Sequence, residues 1–466
     1  MSGRPDARQR EAAEHEQVQV RLREVEAAIL ARAPENQVDP SLEAITELMG
    51  LMGDPQRGIP AIHITGTNGK TSTARMVERL LRELGLRTGR FTSPHLTDIR
   101  ERIALDGEPI SPERFIAAWD DVAPYLAIVD QQSRSAGEQI INYFQVLTAM
   151  AFSAFADAPV DVMVIEVGLG GTWDSTNVVD AEVAVLTPIS IDHERLLGST
   201  VEAIAAQKGG IIKQGATAVV GVQTLGALEV LSERVHQVDA TLVLEGRDVG
   251  VLAREVAVGG QLVSLRGRAA DYEDLFLPLH GEHQAHNLCC AVSAVEAFVG
   301  GGEQALDLEL LRAAVAGMDS PGRLEVVRRS PTILVDAAHN PGGAQVLAEA
   351  VNEAFTFTHL VGVVAVLADK DAAGILDALE PVLDEIVLTR TSSHRATDPD
   401  DLAVIARDVF DDERVHVARS LPDALDLAVT LAEQHGGDSI ASGAAVLATG
   451  SVTMAADVRL LLGVRG

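Results

Sequence analysis

With 466 residues, 47% of them hydrophobic and 23% charged, the chain has room for two or three domains at about 100–200 residues each, and it is too apolar for a disordered protein. Against 37 Lys and Arg stand 68 Asp and Glu, a net charge of −31. Such a surface repels phosphodiester backbones and anionic headgroups, which argues against nucleic acid or a membrane as a partner. Anionic substrates must then be met by a few local cations or a bound metal.

The N-terminal stretch is charged and lacks the apolar core of a secretory signal. The two cysteines, Cys289 and Cys290, are adjacent, an awkward arrangement for a disulfide and too small a set for zinc, so a reducing, cytoplasmic setting is expected. Residues 10–32 read as an amphipathic helix and residues 41–50 as a second, after the break at Pro34. From Ala61 short β-rich runs (AIHIT, DVMVIEV, EVAVLT, TAVVG) alternate with helical stretches, the pattern of a parallel sheet with crossover helices. The uncharged run from Gln139 to Ala156 carries too many polar residues for a membrane span and predicts a buried helix. Within 241–280, LVLE, GVLAREVAV and GQLVSLRG suggest a small antiparallel insertion before a helix at about 286–299. After Ser320-Pro321-Gly322-Arg323 a second α/β series begins: TILVD, HLVGVVAVL, EIVLT, RVHVA and AAVLAT. The expected division is therefore 1–320 and 321–466, with a hinge at 321–322.

The sharpest local signal is Gly66-Thr67-Asn68-Gly69-Lys70-Thr71-Ser72, between the strand AIHIT and a helix with Val77, Leu81 and Leu84 on one face. Glycines there let backbone N–H groups turn onto a polyphosphate, the helix N-terminus adds partial positive charge, and Lys70 can reach the terminal phosphates. Glu166 ends DVMVIEV beside Gly168-Leu169-Gly170-Gly171, and Asp192-His193 follows EVAVLT. Both lie at carboxyl edges of strands, where ligands of open α/β sheets bind. Glu166 suits a hard cation such as Mg²⁺ or serves as a capping or loop glutamate, whereas a lone histidine in such a loop is more often structural than a ligand. Lys208, taken alone, reads as a helix-end charge, and Arg323 as a hinge-surface residue or a guanidinium for ATP phosphates. Asp336, His339 and Asn340 end a strand of the second series. Asp369-Lys370-Asp371 is open between surface and site.

Taken together, GTNGKTS, FTSPHL with RERI, YFQVLTAMAF, EVGLGGTWDSTNVV, SIDH with LLGSTVEAIAAQKGGIIK, HGEHQAHN, SPGRLE, DAAHNP and DKD run in order from about residue 38 to 371. This set resembles the folylpolyglutamate synthase/dihydrofolate synthase family of the Mur-ligase superfamily. The resemblance implies an α/β fold with a P-loop-containing central ATPase domain on a parallel sheet and a smaller, Rossmann-like C-terminal α/β domain. It implies an ATP- and Mg²⁺-dependent carbon–nitrogen ligase that joins L-glutamate to dihydropteroate or a reduced folate through an acyl phosphate, acting as a cytoplasmic monomer. By the same resemblance Gly66, Thr67, Asn68, Gly69, Lys70, Thr71 and Ser72 hold ATP phosphates, with Asn287, Arg323 and Asp336 completing the nucleotide site across a domain cleft. Ser93, Glu166 and His193 match Mg²⁺ ligands, and Lys208 matches a lysine carbamylated in relatives. Asn142, Phe144, Thr172, Trp173 and Asp174 fall where the family binds the pterin, Asp39 and Leu42 close the same pocket, and His339 faces the reacting centre or glutamate.

Three positions depart from the family pattern: Thr172 stands where Arg is usual, Gln207 precedes Lys208 in place of Glu, and Gln145 replaces a common Glu. Loss of an arginine that made a charge-assisted hydrogen bond weakens an anionic substrate by on the order of 1–3 kcal/mol. Two other readings share the motifs. A cell-wall amide ligase of the superfamily usually carries a full nucleotide-sugar domain before the phosphate loop, where this chain has only residues 1–65. A non-catalytic nucleotide-binding descendant is the other, motivated by Thr172 and Gln207.

Overall fold

The computed structural model describes residues 7–34, 40–435 and 443–464. They form two compact units: Met1–Val249 with Gly267–Ala270 and Cys290–Leu311, and Gly250–Arg266 with Asp271–Cys289 and Arg312–Gly466. Asp39 lies outside the described residues.

In the first unit, helices α1 (Ala7–Leu30) and α2 (Glu43–Leu51) precede β1 (Ala61–Thr65) and α3 (Lys70–Glu83). Then come β2 (Thr88–Phe91), β3 (Ile103–Leu105), β4 (Glu108–Pro109), α4 (Pro112–Ala136), α5 (Tyr143–Asp157) and β5 (Val162–Glu166). The unit continues through β6 (Val183–Leu186), α6 (Glu194–Leu197), α7 (Val201–Gly209), β7 (Thr217–Val220), α8 (Leu225–Gln237) and β8 (Thr241–Leu244). These strands make one sheet in the order β4-β3-β2-β5-β1-β6-β7-β8, parallel from β2 through β8, with β3 and β4 antiparallel at the edge. Every residue of β1, β5 and β6 is buried, as expected of a parallel sheet covered on both faces by crossover helices. Helix α5, from the uncharged run, is buried along Tyr143–Phe155. Its Thr148 hydroxyl donates back to the Phe144 carbonyl at 2.9 Å, which satisfies the polar group inside the helix. No described helix is long and apolar enough to cross a membrane.

The insertion differs from the sequence reading in one strand. LVLE does not belong to it: Thr241–Leu244 is β8, paired in parallel with β7 at the edge of the large sheet. The antiparallel sheet is instead β9 (Gly250–Ala257), β10 (Gly260–Arg266) and β11 (Asp271–Leu277), in the second unit. The reason is that β11, DYEDLFL, alternates charged and apolar residues and buries only Tyr272, Leu275 and Leu277, a one-sided pattern that suits an antiparallel partner.

Helix α9 (Glu282–Gly300) contributes to both units, and α10 is Leu308–Ala316. The second unit's larger sheet runs β12 (Glu325–Arg329), β13 (Thr332–Val335), β17 (Ala444–Thr449), β14 (His359–Val364), β15 (Glu385–Leu388) and β16 (Val415–Val417). All its neighbours pair in parallel except β12 with β13. Helix α11 (Pro341–Ala354) follows β13, its N-terminus capped by Asn340, whose side chain accepts from the Gly343 N–H at 2.7 Å. Cys289 and Cys290 are both buried and form no disulfide.

Candidate active site

At the carboxyl edge of the first sheet, β1, β5 and β6 deliver three loops. Gly66–Ser72 leaves β1 and enters α3 at Lys70, with Gly69 at φ 87° before it. Gly66 has φ 151°, and a Cβ there would lie 1.9 Å from Thr187 Oγ1. Only glycine fits that position. Thr187, at the end of β6, donates its hydroxyl to the carbonyls of Asn68 (2.7 Å) and Thr65 (3.2 Å). Thr67 Oγ1 donates to the Ser190 carbonyl at 2.9 Å and accepts the Ser190 N–H at 3.0 Å. The loop is thus shaped before any phosphate arrives. Lys70 Nζ donates to the carbonyls of Gly66 and Thr67, 3.1 Å each, which lays the ammonium along the loop.

Glu166, 1% exposed, sits at the head of this loop. It accepts the Thr71 hydroxyl at 2.9 and 3.0 Å and the Ser93 N–H at 3.2 Å. A buried carboxylate beside a hydroxyl at a phosphate loop is the oxygen donor set Mg²⁺ takes. Among the described residues no group of three His, Cys, Asp or Glu side chains forms a metal cage. His193 takes a left-handed backbone (φ 52°) at the start of α6, its ring nitrogen 3.8 Å from Asp192. Lys208, buried in the last turn of α7, donates to the Gly66 carbonyl at 2.7 Å. Burial, reinforced by the charge of Lys70, pushes its amine well below the ordinary lysine value.

The glycine loop after β5 carries Thr172, Trp173 and Asp174. Asp174 is buried and accepts from the Leu169 N–H at 2.8 Å, the Thr176 N–H at 3.0 Å and the Thr176 hydroxyl at 2.5 Å. Burial raises its carboxyl above the usual range while these hydrogen bonds oppose the shift. Thr172 binds the Gln207 carbonyl through both its N–H (2.9 Å) and its hydroxyl (3.0 Å), so two of the departing positions meet. The Phe144 ring lies against Gly168, where a Cβ would be 2.5 Å from it, and packs on Phe91 with centroids 5.5 Å apart. Asn142 and Gln145 form a reciprocal cap on α5 (2.9 and 2.8 Å), which gives Gln145 a local structural role. Leu42 precedes α2 and packs half-buried against the core.

In the second unit Asp336 accepts the N–H groups of Leu324 (2.8 Å) and Ala338 (2.7 Å). Burial raises its carboxyl, and the nearby Arg323 charge works against that rise. Arg323 donates to the Gly322 carbonyl at 3.1 Å. Asn287 is buried and donates to Gln284 at 3.1 Å, and His339 Nδ1 lies 3.0 Å from the Ala337 carbonyl. The neighbouring His283 is lowered to about 4, chiefly by burial and then by Arg323. Asp369 and Asp371 have structural partners: the first pairs with Arg395 at 2.5 Å, the second caps the helix Ala372–Leu379. The sequence reading missed Thr187, Thr176 and His63, although a histidine inside the apolar strand AIHIT was itself a signal that a buried partner exists.

Residues 64–295 match the Mur ligase middle domain and residues 322–452 the Mur ligase glutamate ligase domain. A dihydrofolate synthase/folylpolyglutamate synthase of Mycobacterium tuberculosis is 49% identical over 457 residues, 95% of this chain and 94% of the relative. The solved structure of Mycobacterium tuberculosis folylpolyglutamate synthase complexed with ADP has a TM-score of 0.91 at 48% identity, covering 96% of this chain and 99% of that one. An FPGS–AMPPCP–folate complex has a TM-score of 0.80 at 31% identity over 95% and 99% of the two chains.

Proposed function

The chain belongs to the Mur ligases, and within them to the folylpolyglutamate synthase/dihydrofolate synthase family; from that premise we propose how its residues join L-glutamate to dihydropteroate and to reduced folates at the expense of ATP. The observation that carries this reading is the buried Glu166 carboxylate bonded to the Thr71 hydroxyl at the head of the Gly66–Ser72 loop, next to Lys70. A carboxylate is a poor electrophile. Its oxygen attacks the γ-phosphorus, ADP leaves, and the glutamate α-amine then attacks the acyl carbon, releasing phosphate and forming the amide. Two anions must be crowded together in the first step, and the backbone N–H groups of Gly66–Ser72, the N-terminus of α3 and the Lys70 ammonium offset that repulsion. Mg²⁺, when bound, neutralises phosphate charge; Glu166 and Thr71 supply the oxygen donors that suit it, with Ser93 and His193 assigned beside them.

Lys208 supports the same centre. Burial shifts its amine toward the neutral form, the form that reacts with carbon dioxide, and carbamylation would place an anion there that can complement the metal. The pterin is assigned to Phe144, Thr172, Trp173 and Asp174 with Asn142, Asp39 and Leu42. Asn287, Arg323 and Asp336 are assigned to the nucleotide and His339 to glutamate or the reacting centre. Residues 1–320 form the nucleotide- and pterin-binding part in this reading and 321–466 the ligase part. The enzyme works as a cytoplasmic monomer on small molecules, without nucleic acid.

The test is glutamate-dependent ADP release with Mg²⁺ and dihydropteroate, tetrahydrofolate or no acceptor. Release with both pterins supports the bifunctional enzyme, and release with dihydropteroate alone restricts it to dihydrofolate synthase. Tight ATP binding with release from neither acceptor overturns the reading.

A further inference from the structure

All five residues of β1, Ala-Ile-His-Ile-Thr, are buried. A histidine in the middle of such a strand needs a hydrogen-bond partner, because an unmatched buried polar group costs free energy. His63 Nε2 lies 2.9 Å from Thr176 Oγ1, and Thr176 Oγ1 donates to Asp174 Oδ1 at 2.5 Å. A threonine hydroxyl has one proton. Since that proton goes to the carboxylate, Thr176 accepts from His63, which sets the imidazole as the Nε2–H tautomer. The other nitrogen, Nδ1, is buried without a hydrogen-bond partner. Burial, with a smaller contribution from the charge of Lys213, lowers the ring to about 3 and keeps it neutral.

Two residues further along the same face of β1, Thr65 Oγ1 donates to the Gly170 carbonyl at 2.8 Å. Asp174 meanwhile accepts the Leu169 N–H. The strand that leads into the phosphate loop therefore holds the glycine loop after β5 by two separate routes, one direct and one relayed.

We propose that His63 is a positioning residue for the acceptor: through Thr176 it orients Asp174, and Asp174 holds the Gly168–Trp173 loop in the shape that receives the pterin. This rests on the assignment of that loop to the acceptor in the preceding subsection. His63 is fully buried, so its loss is expected to act on the loop and on acceptor binding, not on the bond-making step.

The experiment compares His63→Leu, which keeps bulk and deletes the donor, with His63→Gln, which returns an N–H close to the ε position, and with Thr176→Val. Steady-state kinetics are measured separately against acceptor and ATP. His63→Leu and Thr176→Val are each expected to raise the acceptor KM about tenfold, with kcat and the ATP KM within about threefold. His63→Gln is expected to recover most of that loss, and the double variant His63→Leu/Thr176→Val to be no worse than either single one. A ¹⁵N–¹H spectrum of the parent enzyme at neutral pH should show His63 protonated at Nε2. A folded His63→Leu enzyme with unchanged acceptor KM overturns the proposal, as does an equal rise in both KM values or an Nδ1–H tautomer. If His63→Leu does not fold, Thr176→Val carries the same test. Trp173→Ala separates the two levels: an unchanged acceptor KM there refutes the loop's assignment, whereas a raised KM there with a parent-like His63→Leu refutes the role of His63 alone.

Discussion

Gly66→Ala is the sharpest single perturbation the structure offers. The new methyl carbon would lie 1.9 Å from Thr187 Oγ1, 2.9 Å from the Thr187 carbonyl and 3.0 Å from Thr187 Cβ, at a residue whose φ is 151°. Rotating the threonine away removes its hydrogen bonds to the Asn68 and Thr65 carbonyls, each worth about 0.5–1.5 kcal/mol. Holding a residue with a side chain at such a φ costs a further 1–3 kcal/mol or so. The total is about 2–6 kcal/mol, borne by the loop proposed to hold the phosphates. If the loop relaxes and the rest of the fold stays intact, ADP affinity should fall by about 30-fold or more. Calorimetric titration with ADP, alongside thermal unfolding of the same samples, measures both. A Gly66→Ala variant that binds ADP within about threefold of the parent, with the same unfolding midpoint, refutes the reasoning. A second substitution, Thr187→Ala, removes Oγ1 but also the same two hydrogen bonds, and the strain at φ 151° remains, so the affinity should stay low.

Glu166→Gln keeps the size and one acceptor for the Thr71 hydroxyl but removes the charge, so kcat should drop by about 100-fold and half-saturation by Mg²⁺ should move upward; a parent-like magnesium titration would contradict the metal assignment. Gln145→Ala deletes the acceptor for the Asn142 N–H and should shift the urea transition by about 0.5–2 kcal/mol, while Gln145→Glu should leave it close to the parent. Lys208 supplies a pH dependence. Because its folded pKa lies well below 10.5, the unfolded chain binds the extra proton, and stability rises with pH between the depressed folded value and 10.5 and falls as pH drops through that window. Thermal midpoints across this range should therefore climb less steeply in Lys208→Met than in the parent, and identical slopes would show that the buried amine does not titrate there.

The strands β1, β5–β7 and β13–β17 were legible from the chain, because period-two and period-3.6 patterns are local properties and a parallel sheet buried on both faces leaves continuous apolar runs such as VMVIE and AAVLAT. The conformation of the glycine loop after β1 was legible for the same reason. Its glycines, its lysine and its strand and helix flanks are contiguous, so the backbone conformation they require can be read without knowing any distant partner. What a strand pairs with is another matter. LVLE looks like the start of an antiparallel insertion, and only β7, more than twenty residues earlier, makes it the eighth strand of the large sheet; DYEDLFL became the third strand of the small one. The polar residues divide in the same way. Asn142 and Gln145 sit in a functional-looking motif, yet the fold engages them as the cap of α5, and Asp369 and Asp371 are occupied by Arg395 and a helix end. Conversely, Thr187 and His63 gain their importance from Gly66 and Thr176, more than a hundred residues away in each case. The chain alone determined most of the elements and the conformation of the glycine loop after β1, since these depend on neighbours in sequence. Which buried hydroxyl, imidazole or carboxylate holds that loop in shape was decided by the tertiary structure, because a buried polar group is satisfied by whatever partner packing brings within about 3 Å of it.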